Sequence, residues 1–292
     1  MTMKLKVTAP SKLNLYLDID SKRPDGYHNL NMIMQTINLC DEIYIEITED
    51  KKIDITVSDK NIPTGKNNIV YKAVEIFYKN CIQKFTGVKI NINKCIPSEA
   101  GMGGGSADAA AVLIGLNFIE NNLYKEKEIL EMGKILGADV PFAIKGGTCI
   151  VRGIGDIITP VNPLKNLYFV IIKPDVGIST AAAYKAVDNN KFIIQNKFDE
   201  MITAVKSESL NEMKKYMQNI FELVSDVPEV ELCKQHLLQE GAEFAMMTGS
   251  GSAVFGIFTD IYQAKKAKEN LEKVFKNIYI AEPINKGSYI DL

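Results

Sequence analysis

A glycine-rich turn at residues 97–110 runs directly into a good helix former. The segment reads PSEAGMGGGSADAA and holds four glycines within residues 101–105. Glycine lets the backbone approach a ligand closely and direct several N–H groups at it, and a helix start adds partial positive charge. A tight turn without a ligand is the alternative reading. The five small residues from Gly103 to Ala107 favour an anion site, most often one for phosphate.

This turn matches neither of two common phosphate-binding patterns. The pattern G-x-x-x-x-G-K-[ST] requires a lysine that the turn lacks, and G-x-G-x-x-G requires a glycine where Ser106 stands. The residues after the turn predict a helix over 106–120 with Ser106 as its N-cap. Asp108 lies at the start of that helix, where a carboxylate favours the dipole but repels a nearby phosphate. The turn therefore belongs to another class of phosphate site.

Charge and cysteine usage exclude several classes of protein. The 292 residues carry a net charge of −2 with scattered lysines, which argues against nucleic-acid or membrane partners. We identify neither a signal peptide nor a membrane span. The five cysteines form no C-x-x-C pair, which argues against zinc and favours reduced thiols in the cytoplasm. They are Cys40, Cys81, Cys95, Cys149 and Cys233.

The order of the predicted elements indicates an α+β protein of two domains. Strands cluster in the first sixty residues, and the second half reads β-α-α-α-β-β-α-β, unlike the regular alternation of a doubly wound sheet. The stretch TPVNPLKN at 159–166 predicts a boundary, which gives domains of residues 1–160 and 161–292. Strands are expected at 4–9, 13–19, 30–39, 42–48, 52–58, 87–93, within 146–158, at 167–173, within 243–258 and at 277–283. Helices are expected at 68–81, 106–120, 125–136, 179–188, 198–206, 208–219, 229–239 and 260–274.

The glycine-rich turn resembles the ATP loop of the galactose, homoserine, mevalonate and phosphomevalonate (GHMP) kinases. Two more features of that family are present, a lysine-bearing strand APSKLNLYLDI (9–19) and a late glycine turn MTGSGSAVFGIF (247–258). The resemblance implies an α+β fold with an N-terminal ribosomal-protein-S5-like ATP-binding domain and a C-terminal ferredoxin-like domain. It implies ATP as co-substrate, accompanied by Mg²⁺ without a dedicated protein metal site. The implied ATP-binding residues are Pro97, Gly101, Met102, Gly103, Gly104, Gly105, Ser106 and Ala107.

Three further motifs are similar to one branch of the family. They are PSKLNL (10–15), RPDGYHNL (23–30) and LGADVPF (136–142), so the resemblance extends from residue 9 to 258. This branch phosphorylates the 2-hydroxyl of 4-diphosphocytidyl-2-C-methyl-D-erythritol in the non-mevalonate route to isoprenoids. The resemblance therefore implies that small molecule as the acceptor. The stretch 61–72 is expected near the adenine of ATP.

Lys12 and Asp139 acquire roles only through the resemblance. Taken alone, Asp139 before a proline is typical of a helix cap, and Lys12 in an apolar strand is typical of an edge lysine. The family implies that Asp139 is the general base for the acceptor hydroxyl and that Lys12 lies beside it, which keeps the carboxylate ionised. Asn14 lies on the same strand face as Lys12 and is expected near the substrate hydroxyls.

The remaining expected contacts are with the acceptor. His28 taken alone is typical of a surface turn, but the resemblance implies that it reads cytosine by hydrogen bonding while Tyr27 and Tyr184 stack on the two faces. Met34 stands where relatives often carry an aromatic residue near the base. Thr180 and the late turn are expected to contact substrate. The residues of that turn are Thr248, Gly249, Ser250 and Gly251.

Two other functions remain open at this point. A sister kinase acting on homoserine or a mevalonate-like alcohol shares the glycine turn, but such substrates have no base for the Asp-Gly-Tyr-His turn to read. A non-catalytic nucleotide-binding regulator shares it too, and the presence of both Lys12 and Asp139 argues against that reading. We expect a monomer or a weak homodimer.

Overall fold

The computed structural model describes residues 4–79, 81, 84–190 and 196–291, whose strands form two sheets. The strands are β1 (Lys4–Lys22), β2 (His28–Ile47), β3 (Ile53–Val57), β4 (Val88–Asn93), β5 (Thr148–Gly153), β6 (Ile157–Pro160), β7 (Tyr168–Ile172), β8 (Phe244–Met247), β9 (Val254–Phe258), β10 (Ile278–Ala281) and β11 (Tyr289–Ile290). The helices are α1 (Ile69–Lys79), α2 (Gly104–Ile119), α3 (Glu126–Leu136), α4 (Val140–Lys145), α5 (Thr180–Asn189), α6 (Phe198–Lys206), α7 (Leu210–Met213), α8 (Ile220–Leu223), α9 (Pro228–Gln239) and α10 (Ile261–Leu271).

The larger sheet is built around two long antiparallel strands. Its order is β11-β1-β2-β4-β3, and β5 with β6 extends the other end of β2. The sequence predicts four separate strands in the place of β1 and β2. That prediction was wrong because β1 and β2 stay paired through three register shifts. One extra residue lies in β1 at Asn14/Tyr16 and at Ile19/Ser21, whereas the extra residues opposite Pro10/Lys12 lie in β2.

The smaller sheet has the order β10-β7-β9-β8, and all its neighbouring strands are antiparallel. Helices α9 and α10 pack against it. Apart from helices α5–α8, which are inserted after β7, the elements follow the order β7-α9-β8-β9-α10-β10, which is the split βαβ arrangement of ferredoxin-like folds. The predicted α+β class is confirmed.

The chain crosses between the two sheets after β6 and returns near its end. Strand β6 belongs to the larger sheet, whereas β7 belongs to the smaller one. The last strand then pairs with β1, with Ile290 opposite Val7. The division of the chain at residue 160 therefore stays a prediction, and β11 lies with the first sheet.

Helix α2 begins two residues earlier than predicted, and its N-cap is Gly103. Gly103 has φ of 72°, a left-handed conformation, and no side chain caps the helix. Ser106 lies within the first turn, so the prediction of Ser106 as the N-cap was wrong. Glycine occupies the cap because this backbone conformation is disfavoured for residues with a Cβ.

Other boundaries also differ from the sequence pattern. The predicted helix over 208–219 is only the short α7, and both α4 and α8 were missed because each is a single turn or little more. Helix α1 is described to Lys79, and the predicted continuation through residue 80 lies outside the described residues. Within the described part of the chain, no helix is both long and apolar enough to cross a bilayer.

Candidate active site

A cleft of about 1040 Å³ gathers residues from strands β1 and β2 of the larger sheet, from both glycine turns and from helix α5. Ala107 and Thr248 do not line it, since Ala107 is buried in α2 and Thr248 lies behind Asn14. The structure brings the other predicted site residues together here. They are Lys12, Asn14, Tyr27, His28, Pro97, Gly101, Met102, Gly103, Gly104, Gly105, Ser106, Asp139, Thr180, Tyr184, Gly249, Ser250 and Gly251.

The glycine turn places the first turn of α2 against Lys12 and Asp139. A Cβ added at Gly103 would lie 3.2 Å from Cγ of Lys12 and 3.7 Å from Oδ2 of Asp139. The first N–H groups of an α-helix have no acceptor within the helix. Those of α2 therefore lie at the same point as a lysine and an aspartate, which suits an anionic ligand with a reacting group beside it.

Lys12 and Asp139 form an ion pair within this cleft. Nζ of Lys12 lies 3.7 Å from Oδ2 of Asp139 and donates to Oδ1 of Asn14 at 2.5 Å. Burial lowers the pKa of Lys12, and the charge of Asp139 partly offsets that effect. Asp139 is the residue before α4, but its side chain makes no capping hydrogen bond. Its carboxylate is one-third exposed and therefore open to a ligand.

The late glycine turn interlocks with the first one. A Cβ at Gly101 would lie 2.1 Å from the carbonyl oxygen of Thr248, and one at Gly249 would lie 2.5 Å from that of Gly101. The hydroxyl of Thr248 accepts from the backbone N–H of Asn14 at 3.0 Å. Asn219 holds the turn from below through its amide, which donates to the carbonyls of Met247 and Gly249 at 2.8 Å each.

A buried ion triad beneath the glycine turn was missed by the sequence reasoning. Nζ of Lys94 lies 2.5 Å from Oδ2 of Asp41 and 2.7 Å from Oδ2 of Asp108. Burial acts to lower the pKa of Lys94, but Asp108 and Asp41 reverse the effect and raise it. Burial also raises the pKa of Asp108 well above its usual range, against the opposing effect of Lys94.

The triad connects β2 with the segment that leads into the turn. Asp41 also accepts from the backbone N–H groups of Cys95 and Ile96, at 2.6 and 2.8 Å. Oδ1 of Asp108 is buried and has no hydrogen-bond partner among the described residues. The local sequence shows an aspartate in an apolar strand, Asp41, and a lysine shortly before Pro97, Lys94. Neither pattern indicates which residue the charged side chain contacts.

The far end of the cleft contains an aromatic and acidic cluster. The rings of His28 and Tyr184 are stacked, with centroids 5.0 Å apart and planes 18° apart, whereas Tyr27 is 62% exposed. Nε2 of His28 lies 2.9 Å from Oδ1 of Asp188, and Nζ of Lys22 donates to Oδ2 of the same carboxylate at 2.6 Å. The sequence reasoning identified neither Asp188 nor Lys22.

Met34 and the stretch 61–72 differ in whether they line the cleft. Met34 is fully buried in the core, and Met32 lines the cleft instead. Met34 therefore does not line the cleft. Residues of the stretch 61–72 do line the cleft on the side of the glycine turn. They are Ile62, Pro63, Asn67, Asn68 and Ile69.

Comparison with protein families decides the relationship. Residues 68–147 match the model for the N-terminal domain of GHMP kinases, and residues 201–277 match the model for the C-terminal domain. The chain belongs to the GHMP kinases. Its first glycine turn and Asp139 lie within the match to the N-terminal domain, whereas Lys12 precedes that match.

The chain is similar in sequence to some named GHMP kinases and similar only in fold to others. The 4-diphosphocytidyl-2-C-methyl-D-erythritol kinase of Alkaliphilus metalliredigens (strain QYMF) is 41% identical, with 98% of this chain and 99% of that protein covered. A crystal structure of 4-(cytidine 5'-diphospho)-2C-methyl-D-erythritol kinase is 27% identical with a TM-score of 0.76, covering 97% of this chain and all of the other. A homoserine kinase from Cytophaga hutchinsonii ATCC 33406 has a TM-score of 0.81 at 20% identity over 99% and 97%. That last likeness is one of fold alone.

Proposed function

We propose that this GHMP kinase transfers the γ-phosphoryl group of ATP to the 2-hydroxyl of 4-diphosphocytidyl-2-C-methyl-D-erythritol, a step of isoprenoid synthesis. The name of the relative at 41% identity supports the acceptor. One geometric observation carries the chemistry, namely that Gly103 packs against both Lys12 and Asp139. The proposed phosphate loop and the proposed base therefore lie within a single contact of each other.

The donor lies with its phosphates over residues 101–107. The free N–H groups at the start of α2 face the phosphate oxygens, and the helix dipole adds attraction for their charge. The adenine lies toward the stretch 61–72, of which five residues line the cleft.

Transfer is an in-line displacement at the γ-phosphorus. Asp139 takes the proton of the acceptor hydroxyl as its oxygen forms a bond to phosphorus, while the bond from phosphorus to the β-bridging oxygen breaks and ADP leaves with that electron pair. Lys12 offsets the negative charge on the incoming oxygen, and Asn14 holds Lys12 in place through the 2.5 Å contact. Catalysis of this class is mostly positioning and electrostatics.

Magnesium fits the cleft as a companion of ATP. The described residues contain no cluster of three metal-binding side chains, and Mg²⁺ bound to phosphates needs few protein ligands. Asp108, whose Oδ1 is buried without a protein partner, is the oxygen donor that would hold it. When bound, Mg²⁺ supplies neutralisation of the phosphate charge.

The acceptor occupies the other half of the cleft. Its cytosine lies between Tyr27 and Tyr184 and is read by His28, and each stacking contact contributes about 1–3 kcal/mol. Thr180 and Ser250, whose hydroxyls are 3.0 Å apart, face the acceptor's phosphates. The late turn holds that pair beside the glycine loop.

A side-by-side transfer assay tests the proposal. Phosphate transfer from ATP is measured on 4-diphosphocytidyl-2-C-methyl-D-erythritol, mevalonate and homoserine, with ATP turnover lacking acceptor as the background. We expect transfer only to the cytidine compound. Transfer to another alcohol would make this a sister kinase, and ATP binding with no transfer to any of them would make it a nucleotide-binding regulator.

The net charge and the free thiols bear on where the enzyme is located and on its partners. The net charge of −2 gives no basic field for nucleic acid or an anionic membrane, and the five cysteines are free thiols. These features support a cytoplasmic enzyme that acts as a monomer or weak homodimer. Light scattering during gel filtration measures the mass and would contradict this with a stable larger assembly.

A further inference from the structure

Asp188, near the end of α5, holds the imidazole of His28. Its Oδ1 lies 2.9 Å from Nε2 of His28 and its Oδ2 lies 2.6 Å from Nζ of Lys22. Hydrogen bonds from Lys22 and His28 lower the pKa of Asp188. The carboxylate is therefore ionised, and an ionised carboxylate only accepts hydrogen bonds.

An acceptor at Nε2 decides the tautomer of a neutral histidine. A neutral imidazole carries one proton, and the hydrogen bond at one nitrogen determines the state of the other. Because Asp188 only accepts, Nε2 of His28 is the protonated nitrogen. Nδ1 is then a lone-pair acceptor that remains for a ligand.

The orientation of the His28 ring suits recognition of a base edge. The ring lies within 18° of the plane of Tyr184, with centroids 5.0 Å apart. Phe221 also packs edge-on against Tyr184, with centroids 4.9 Å apart and planes 80° apart, and so supports that ring. A base that stacks on Tyr184 beside His28 lies nearly in the imidazole plane, where an in-plane hydrogen bond is well aligned.

We propose that Asp188 is a specificity-determining positioning residue, which makes Nδ1 of His28 an acceptor and so selects the exocyclic amine of cytosine over the carbonyl oxygen of uracil. Cytosine offers an N–H donor at this position, whereas uracil offers a second acceptor that leaves both groups unpaired. The inference rests on the proposed function, because it assumes a cytidine-bearing acceptor. It adds a residue that touches the base only through His28.

Kinetics with two acceptors test the inference. Asp188→Asn keeps the shape of the side chain but offers both an oxygen and an NH₂ group, so either tautomer of His28 is satisfied. We expect the wild type to favour the cytidine acceptor over its uridine analogue by about 10–100-fold in kcat/KM. In Asp188→Asn that preference falls by about tenfold, with kcat and the KM for ATP within twofold. An unchanged preference would overturn the proposal.

Lys22→Met is the matched control. It removes the other partner of Asp188 and leaves the contact with His28 in place. We expect Lys22→Met to keep the preference for the cytidine acceptor. A loss of preference equal to that of Asp188→Asn would show that the Lys22–Asp188 ion pair, rather than the tautomer of His28, determines specificity, and would overturn the proposal.

Nitrogen NMR tests the tautomer independently of activity. The chain has two histidines, His28 and His236, so ¹⁵N-histidine labelling gives two imidazoles and His236→Gln assigns them. We expect Nε2 of wild-type His28 to carry the proton while Nδ1 carries none, and Asp188→Asn to give a mixture of the two tautomers. A proton on Nδ1, alone or in an imidazolium, would overturn the inference. Absence of transfer to either acceptor would overturn the proposed function, and the specificity argument with it, whatever tautomer is found.

Discussion

At the scale of single residues, the contacts of Asp139 distinguish a helix cap from a general base. A helix cap would engage its carboxylate with backbone N–H groups, and the structure shows no such bond. The carboxylate instead faces Lys12 and the glycine turn. A base requires this kind of open, oriented position.

Replacement of Asp139 by asparagine separates the two roles. Asp139→Asn keeps the side-chain shape but removes the proton acceptor, and we expect turnover to fall by about 10²–10⁴-fold. The Kd for ATP is expected to stay within a few-fold, because the phosphates lie on the helix start. Steady-state kinetics and calorimetric titration with ATP measure the two quantities, and a parallel loss of both would assign Asp139 a structural role.

Burial of Lys12 makes turnover sensitive to alkaline pH. In the proposed mechanism the protonated amine is the active form, and burial lowers the pKa of Lys12 from the usual 10.5. Turnover is therefore expected to be level while Lys12 is charged and to fall as pH rises through a pKa below 10.5. Arginine stays charged over this range, so Lys12→Arg is expected to remove the alkaline fall even where its turnover is lower overall. A fall unchanged in Lys12→Arg would assign the titration to another group.

At the scale of elements, the two glycine turns depend on each other. Gly101 has φ of 70°, and a Cβ there would meet backbone atoms of Thr248 and Gly251 at 2.1 and 2.9 Å. Backbone atoms cannot rotate away as a side chain does. A side chain at residue 101 could therefore be accommodated only if the backbone of one of the two turns shifted.

Gly101→Ala measures that dependence. Backbone strain alone is expected to lower the free energy of unfolding by about 1–3 kcal/mol, and the clash adds to it and raises the KM for ATP. Gly241→Ala is the control, since Gly241 has φ of 93° with no atom within 4 Å of its Cβ position. Urea denaturation gives the loss in the free energy of unfolding for each variant, and the difference between the two losses measures the clash. Equal losses would mean that contact between the turns contributes nothing.

The triad of Asp41, Lys94 and Asp108 anchors the glycine turn to β2. Asp41→Ala leaves Lys94 buried with one partner fewer and frees two backbone N–H groups, so we expect a loss of about 3–5 kcal/mol in the free energy of unfolding. Glu212→Ala breaks the exposed pair with Lys215 and is expected to cost under about 1 kcal/mol. Denaturant titration of the two variants compares them, and similar losses would contradict an anchoring role.

The sequence predicts those parts of the site whose chemistry is local. The turns at 101–107 and 248–251 are recognisable because their glycines lie within a few residues of one another. The pairing of Asp41 with Lys94 was not predictable, because 53 residues separate them and only the register of β2 with β4 brings them together. Asp188 was missed for a similar reason, since its role arises from α5 facing the ends of β1 and β2 across the cleft.

At the scale of the whole molecule, the end of the chain supports the first sheet. Strand β11 covers the edge of β1 at Val7 and Thr8, and the N–H of Ser288 donates to the carbonyl of Ala143 at 2.8 Å. A sheet edge without such cover pairs readily with other chains. Residues 288–290 therefore pack with the larger sheet although they follow the strands of the smaller sheet in sequence.

A chain that ends at Pro283 tests this arrangement. Without β11, we expect a lower melting temperature and concentration-dependent association through the exposed edge of β1. Ser288→Ala is the control, because it removes one hydroxyl and keeps the backbone pairing. Thermal unfolding and light scattering measure both effects, and a truncated chain as stable and monodisperse as the control would contradict the role of β11.

The interlocked turns also limit how such a chain can be recombined. Gly101 lies before the crossing between sheets and Gly249 lies after it, yet their backbones are in contact. A chimera joined within residues 161–167 would take one turn from each parent, so its parents must agree in the shape of both. The segment 161–167 is the simplest place to exchange the two halves of the chain, but a junction there separates the two glycine turns of the candidate active site.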